Sequence, residues 1–320
     1  MNKKNFAMFG DGFNEKGPKE LRIAVADKDD NGKVSVAVVP EPKTGKPASE
    51  RKFREMQKQM SIEGRNCVLF VHGYNTNLES AVRDAFRIRE LYQVEVILFT
   101  WPANGGGIET NRPDKPFDLV MGKAEDLHGY GSYLSDKHDA ELSKGALDRI
   151  FQKLAEYFDK YGEHCEARIT LLCHSMGNYL LKKMSKSSIY HADSLIFDNV
   201  VLCAADVNNA GHEQWIPELA HRKRIYITIN ENDFALKWSR RKLGDKQKAR
   251  LGHYTKNLIS PIATYLDFTD AIGVGSSHGY FADGSVENRN VYDTFYTILN
   301  GERCESYLDY NALDGTYTVT

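Results

Sequence analysis

The clearest chemical signal in this sequence is a serine between a predicted strand and a predicted helix. Residues 168–172, RITLL, form the apolar run of a buried strand, and a helix is predicted from Met176. Ser175 lies at the junction, where a sharp turn would lift its hydroxyl above the end of the sheet. The small side chains of Cys173 and Gly177 would let strand and helix approach each other. Ser175 is therefore the candidate nucleophile, with a helix-capping serine as the alternative interpretation.

Two aspartates could orient a catalytic histidine. Asp233 follows the predicted strand 224–229, the second strand after the serine, and Asp206 follows the predicted strand 200–205. A carboxylate in this role holds the imidazole in the tautomer that accepts the serine proton and stabilises the imidazolium that forms. Chain order favours Asp233. Asp206 is kept as the alternative acid, and its other interpretation is a helix cap or a brace of the site.

A histidine late in the chain could act as the general base. His278 lies in SSHGYF, after the predicted strand 263–268 and before the final predicted helix. Imidazole suits this role because its unperturbed pKa is close to working pH. Downstream of the favoured acid only His253 competes, and it lies in a charged stretch before that strand. The resulting chain order is Ser175, Asp233, His278.

Two backbone N–H groups could stabilise the negative charge that acyl transfer develops. The segment VHGYN ends a predicted strand at 67–71, and Gly73 would let the main chain turn its N–H groups inward. We expect the donors to be Tyr74 and Met176, the residue after the serine; losing one such donor typically lowers the rate about 10²–10³-fold. His72 is interpreted as a brace of this loop, because a catalytic histidine so early would have the wrong order.

Together these segments resemble one known superfamily. The chain is similar to α/β-hydrolases of the esterase and lipase type, in particular to a bacterial branch catalogued as a domain of unknown function. The resemblance covers roughly residues 20–300 and is carried by VHGYNTN, TWP, CHSMGNYLL, NDFAL with Arg-Leu-Gly at 250–252, and SSHGYF. Cys173 departs from the pattern, in which glycine opens the serine pentapeptide, but cysteine is also small. The resemblance implies the α/β-hydrolase fold and hydrolysis of esters or related acyl compounds, without implying a substrate.

The elements that must position these residues alternate along the chain. Two β-rich runs, LRIAVA and KVSVAVV, flank Asn31-Gly32 and predict a hairpin. A short helix is predicted from about Ser49. Thr76 and Glu79 have the spacing of a capping box, which predicts the start of a second helix. Further strands alternate with helices or loops, giving eight predicted strands. The fold class is therefore α/β: a mostly parallel eight-stranded sheet with an N-terminal antiparallel hairpin and helices on both faces.

Residues 101–140 break this alternation. They hold Gly105-Gly106-Gly107, several prolines and scattered charge, so a long loop is predicted up to a helix beginning near Ser143. Because the loop leaves the carboxyl end of a strand, we interpret it as a lid or a wall of the acyl pocket, with a plain surface excursion as the alternative. The side chains available to line a pocket are Trp101, Phe117, Leu119, Val120, Met121 and Tyr130.

The composition of the chain argues against several classes of protein. The chain has 320 residues with 42 Lys plus Arg and 44 Asp plus Glu, and its net charge of −2 argues against a dedicated nucleic-acid binder. No apolar run approaches the roughly 18 residues of a membrane span, and no signal peptide is evident. The five dispersed cysteines predict reduced core residues in a cytoplasmic protein, without a disulfide framework or a zinc site. We expect a single domain over 1–320 with peripheral termini at 1–20 and 302–320.

The leading hypothesis is a serine hydrolase of a carboxylic ester that needs no cofactor or metal and works through an acyl-enzyme. Phospholipase, thioesterase or peptidase activity would use the same residues, and a non-catalytic binding protein on a hydrolase scaffold is the hypothesis from another class. The expected partner is a small ester or acyl molecule, and the oligomeric state is not predicted. The basic stretch 240–250 is interpreted as solvated surface, and Cys173 as a packing residue.

Overall fold

The computed structural model describes residues 21–103, 125–162, 166–186, 195–219, 222–240 and 249–320, together with two short strands near the N-terminus. Those strands, β1 (Phe13–Asn14) and β2 (Gly17–Pro18), pair antiparallel. The predicted hairpin is confirmed as β3 (Ala24–Lys28) and β4 (Val34–Val38), with Gly32 in its turn at φ +77°. It forms a two-stranded sheet of its own and does not join the main sheet.

The main sheet has eight strands among the described residues. They are β5 (Cys67–Val71), β6 (Glu95–Phe99), β7 (Ile169–His174), β8 (Phe197–Cys203), β9 (Arg222–Ile229), β10 (Ala263–Asp267), β11 (Asp309–Asn311) and β12 (Thr316–Thr318). Their order is β11-β12-β10-β9-β8-β7-β5-β6, and only β11 and β12 pair antiparallel. The mostly parallel eight-stranded sheet is confirmed.

Two strands of this sheet differ from those predicted. The eight predicted strands included the two of the hairpin. In the structure, the seventh and eighth strands of the main sheet are instead β11 and β12, from residues 302–320, which we had expected to be peripheral. Each of these strands has three residues, too few to produce an alternating pattern that can be recognised. Val319, directly after β12, is fully buried, so this segment contributes to the core at the sheet edge.

Helices cover both faces of the sheet. They are α1 (Ala48–Glu63), α2 (Leu78–Tyr92), α3 (Glu125–Tyr161), α4 (Gly177–Ser185), α5 (His212–Trp215), α6 (Phe234–Ser239) and α7 (Arg289–Leu299). All five residues of β5 are buried. Alternate ones pack with α1, α3 and α4 on one side and with α2 and α7 on the other. None of the described helices is both long and apolar enough to cross a membrane.

The start of α2 differs slightly from the predicted capping box. The N-cap is Asn77, whose side chain accepts the Ser80 N–H at 2.9 Å. Thr76, the predicted cap, instead donates its hydroxyl to the Tyr74 carbonyl at 3.1 Å. Asparagine is a stronger N-cap than threonine, so the helix begins one residue later.

The helix before β7 is much longer than predicted. α3 begins at Glu125, whereas the sequence predicted a loop up to Ser143. The part of α3 just before Ser143 buries the carboxylates of Asp136 and Asp139, and these polar residues interrupt the apolar stripe from which a helix is recognised. Trp101 is buried in the core and stacks on His72. Four of the other suggested pocket residues, Phe117, Leu119, Val120 and Met121, lie outside the described part of the chain. For Tyr130 only the backbone, which belongs to α3, is described, so the lid remains a prediction.

Candidate active site

Ser175 occupies a strained turn between β7 and α4. Its φ is +53°, a conformation that costs a non-glycine residue about 1–3 kcal/mol and persists only where the surroundings enforce it. The Ser175 N–H donates to the carbonyl of Cys203 at 3.0 Å, and its own carbonyl accepts the Asp206 N–H at 3.2 Å. These bonds tie the turn to the end of β8. The geometry is the sharp strand-to-helix turn expected from the sequence.

Asn178 holds this turn from the inside. Its side chain is fully buried, and Nδ2 donates to the carbonyls of Cys173, Ser175 and Cys203 at 3.0, 3.1 and 3.2 Å. One amide therefore links β7, the turn and β8. The sequence analysis missed this role. The available signal was an amide side chain in the first turn of the helix, three residues after the candidate serine.

Two glycines let neighbouring backbone approach the serine. A Cβ added at Gly73 would lie 2.8 Å from the Cβ of Ser175 and 3.3 Å from its Oγ. A Cβ added at Gly177 would lie 2.6 Å from the carbonyl oxygen of Val71. Distances this short leave no room for a side chain at either position. The loop after β5 therefore lies directly against the serine.

His278 is bonded to Asp233, one of the two expected acids. The Nδ1 of His278 lies 2.7 Å from Oδ2 of Asp233, which is fully buried at the N-cap of α6 and also accepts the Leu236 N–H at 2.9 Å. Burial of the ring lowers the pKa of His278. The attraction of the carboxylate and its hydrogen bond outweigh this effect, so the pKa is raised above its usual value.

Asn230 connects the loop of the acid with the loop of the histidine. It is fully buried between β9 and Asp233, and its Nδ2 donates to the carbonyls of Gly275 and Ser277, each at 3.0 Å. These acceptors lie just before His278, so one side chain sets the spacing between the two loops. The sequence analysis did not single out Asn230.

Asp206, the alternative acid, belongs to a buried polar network. Its carboxylate accepts from Ser239 Oγ at 2.6 Å, from Arg250 Nε at 2.9 Å and from the Tyr133 hydroxyl at 3.0 Å. Arg250 is 3% exposed, so its predicted place on a solvated surface was wrong; pairing with a buried carboxylate makes its burial possible. Arg240 is exposed as predicted, and residues 241–248 lie outside the described part.

His72 is buried beneath the loop after β5. The backbone N–H of Trp101 donates to its Nε2 at 3.1 Å, so the ring proton is on Nδ1, which donates to the Gly73 carbonyl at 3.1 Å. Burial lowers the pKa of His72 to about 3, which keeps the ring neutral. His72 therefore braces the loop, as its position in the sequence suggested.

The two expected oxyanion donors flank the serine. Met176 precedes the first residue of α4, where backbone N–H groups have no partner within the helix. Tyr74 follows Gly73 and shares a cavity of about 60 Å³ with Ser175 and His278. The same cavity is lined by Tyr133, Leu236 and Trp238.

His174 lies beside the histidine of the site. Its Nε2 donates to the His278 carbonyl at 2.9 Å, and burial together with the neighbouring His278 lowers the pKa of His174 to about 3. It is therefore a neutral packing partner. Cys173 is fully buried in β7, and burial raises the pKa of its thiol, as a packing role requires. Within the described ranges, no three His, Cys, Asp or Glu side chains cluster as metal ligands do.

One comparison with known proteins found a match. The model of a family described as "Alpha/beta hydrolase of unknown function (DUF900)" matches residues 47–282, which is more than half of the chain. The matched region includes Ser175, Asp233 and His278. Searches of curated proteins and of solved structures found no significant match. With the parallel sheet and the strained serine turn described above, the chain belongs to this family of α/β-hydrolases of unknown function.

Proposed function

We propose that this protein is a serine hydrolase that cleaves a carboxylic ester or a related acyl compound. The observation that carries the proposal is the shared cavity of Ser175 and His278, with the buried Asp233 bonded to the far side of the ring. Family membership supports hydrolase chemistry in general. The finer assignment of roles rests on this geometry.

In the first half-reaction, Ser175 Oγ attacks the carbonyl carbon of the substrate while Nε2 of His278 accepts the hydroxyl proton. Asp233 stabilises the imidazolium through Nδ1. The N–H groups of Tyr74 and Met176 donate to the oxyanion of the tetrahedral intermediate. When the intermediate collapses, the alcohol leaves with the proton from His278, and the acyl group stays on Ser175 as an ester.

In the second half-reaction, His278 removes a proton from a water molecule that attacks the acyl-enzyme. The same N–H groups stabilise the second oxyanion, and Ser175 leaves with the proton returned by His278. A carboxylic acid is released. Thioesters, phospholipids and peptides could pass through the same steps, so the shape of the acyl pocket selects among them.

The proposal is tested with a fluorophosphonate probe and a panel of aryl esters of increasing acyl length. We expect the original protein to react with the probe at Ser175 and to hydrolyse at least one ester. Ser175→Ala should fold normally, fail to react and lose turnover by about 10⁴–10⁶-fold. Near-normal turnover in Ser175→Ala, or labelling at another residue, would show that the assignment is wrong. A correctly folded original protein that neither reacts nor turns over any ester would favour the binding-protein hypothesis.

We also propose that the protein works in a reducing compartment such as the cytoplasm. Cys173, Cys203 and Cys304 are buried thiols that form no disulfide. Proteins of oxidising compartments use cysteine mainly in disulfides, which supports this assignment.

A further inference from the structure

A carboxylate from α3 contacts the loop that carries one of the expected oxyanion donors. Asp136 is fully buried, and its Oδ2 accepts the backbone N–H of Asn75 at 2.9 Å. Asn75 directly follows Tyr74 and has a φ of +51°, the left-handed conformation that asparagine tolerates better than most residues. The contact spans 61 positions of sequence. α3 also brings Tyr133 to the cavity that Ser175 and His278 share.

This contact fixes the peptide group that follows the donor. The peptide between Tyr74 and Asn75 has its N–H held by Asp136 and its carbonyl held by the Thr76 hydroxyl at 3.1 Å. The preceding peptide has its carbonyl, that of Gly73, held by His72. Because peptide groups are planar and trans, these three bonds together determine the direction of the Tyr74 N–H.

The bond to Asp136 differs from the other two because its acceptor is a buried carboxyl group. A hydrogen bond to an ionised carboxylate is roughly twice as strong as one between neutral groups. One turn earlier on α3, the ring of Tyr133 lies 5.6 Å from the ring of Tyr74. The helix therefore contacts the loop through a polar and an aromatic side chain.

We infer that Asp136 is a positioning residue, which holds the loop of residues 73–75 so that the Tyr74 N–H faces the oxyanion. The inference rests on the proposed function, since it assigns a role in the same reaction. Asp136 acts through the backbone of Asn75 and does not itself touch the substrate. A donor that is oriented before the reaction stabilises the transition state more than the bound substrate. Loss of this orientation should therefore lower kcat and change KM little.

The test compares variants that keep or lose the acceptor. Asp136→Asn retains a carbonyl oxygen at this position and should keep kcat within about fivefold of the original. Asp136→Ala and Asp136→Leu lose the acceptor and should lower kcat by about 10²-fold, with KM changed less than about twofold. Leucine resembles aspartate in shape and avoids the cavity that alanine leaves, so two non-accepting variants are available. All rates are expressed per active site titrated with the fluorophosphonate.

Asp148→Ala is the matched control, because Asp148 is another buried acid of α3. It lies twelve positions further along, about 18 Å at the usual helical rise, and should lower the melting temperature while leaving kcat per active site unchanged. Equal losses of kcat in Asp148→Ala and Asp136→Ala, or an unchanged kcat in Asp136→Ala or Asp136→Leu, would overturn the role of Asp136 alone. An original protein inert to the probe and to every ester would instead overturn the proposed function, and this role with it.

Discussion

Replacing Gly73 by alanine should impair the reaction far more than the fold. The added methyl carbon would lie 2.8 Å from the Cβ of Ser175, whereas carbon atoms in ordinary contact are about 3.5–4.0 Å apart. One of the two segments must therefore move by about 1 Å. Both segments are held, Ser175 by Asn178 and β8 and the loop by Asp136, and a shift of either one moves the serine hydroxyl relative to the Tyr74 N–H. A displacement of this size at a reacting centre can lower the rate about 10²-fold.

The assay measures kcat, KM and the rate of labelling by a fluorophosphonate for Gly73→Ala and for a control, Gly279→Ala. Gly279 directly follows His278, but a Cβ there would meet its nearest neighbour, Asp283, only at 3.9 Å. We expect about a 10²-fold loss of kcat and of labelling rate in Gly73→Ala, and rates close to the original in Gly279→Ala. Folded Gly73→Ala protein with kcat within about threefold of the original, or equal losses in both variants, would refute the close-approach argument.

Two further predictions concern the acids and the histidine. Asp233→Asn should lower kcat by up to about 10⁴-fold with the fold intact. Asp206→Asn should keep kcat per active site but lose about 3–5 kcal/mol of stability, because it leaves Arg250 buried without its counter-charge. The reverse ranking of the two variants, in kinetics and thermal unfolding, would move the catalytic acid to Asp206. The pH profile of kcat/KM should lose activity as the pH falls through the raised pKa of His278, since only the neutral ring accepts the serine proton. In Asp233→Asn the midpoint should move to lower pH, because burial then acts on the ring without the opposing carboxylate, and an unmoved or higher midpoint would contradict this.

The parts of the fold that could be predicted are those whose pattern is local. β5 and β7 are continuous apolar runs, and the motif around Ser175 lies within a few residues of a strand end. The carboxyl ends of parallel strands meet at one edge of a sheet, so residues distant in sequence could be assigned to one site. The bond between His278 and Asp233 agrees with the chain order from which both residues were selected.

The features that escaped prediction depend on contacts between distant segments. Arg250 lies in a basic stretch, and its burial is explained by partners distant in sequence, among them Asp206, 44 positions earlier. α3 buries the carboxylate of Asp136, whose partner, the Asn75 N–H, is on another element, and this polar residue interrupts the apolar stripe of the helix. The side chains of Asn178 and Asn230 matter because they donate hydrogen bonds to backbone carbonyls of other segments. The spacing of residues in the sequence does not reveal such bonds.

The region shared with the family packs against the chain that follows it. The match ends at residue 282, yet α7 follows it, and the carbonyl of Ile298 accepts hydrogen bonds from Thr170 in β7 and Asn199 in β8. β12 pairs with β10, and the carbonyl of Thr320 accepts from the side chain of Asn290 at 2.8 Å. A chain trimmed to the shared region would expose the backbone edge of β10, which invites association between molecules. Boundaries chosen for recombinant expression should therefore include residues 283–320.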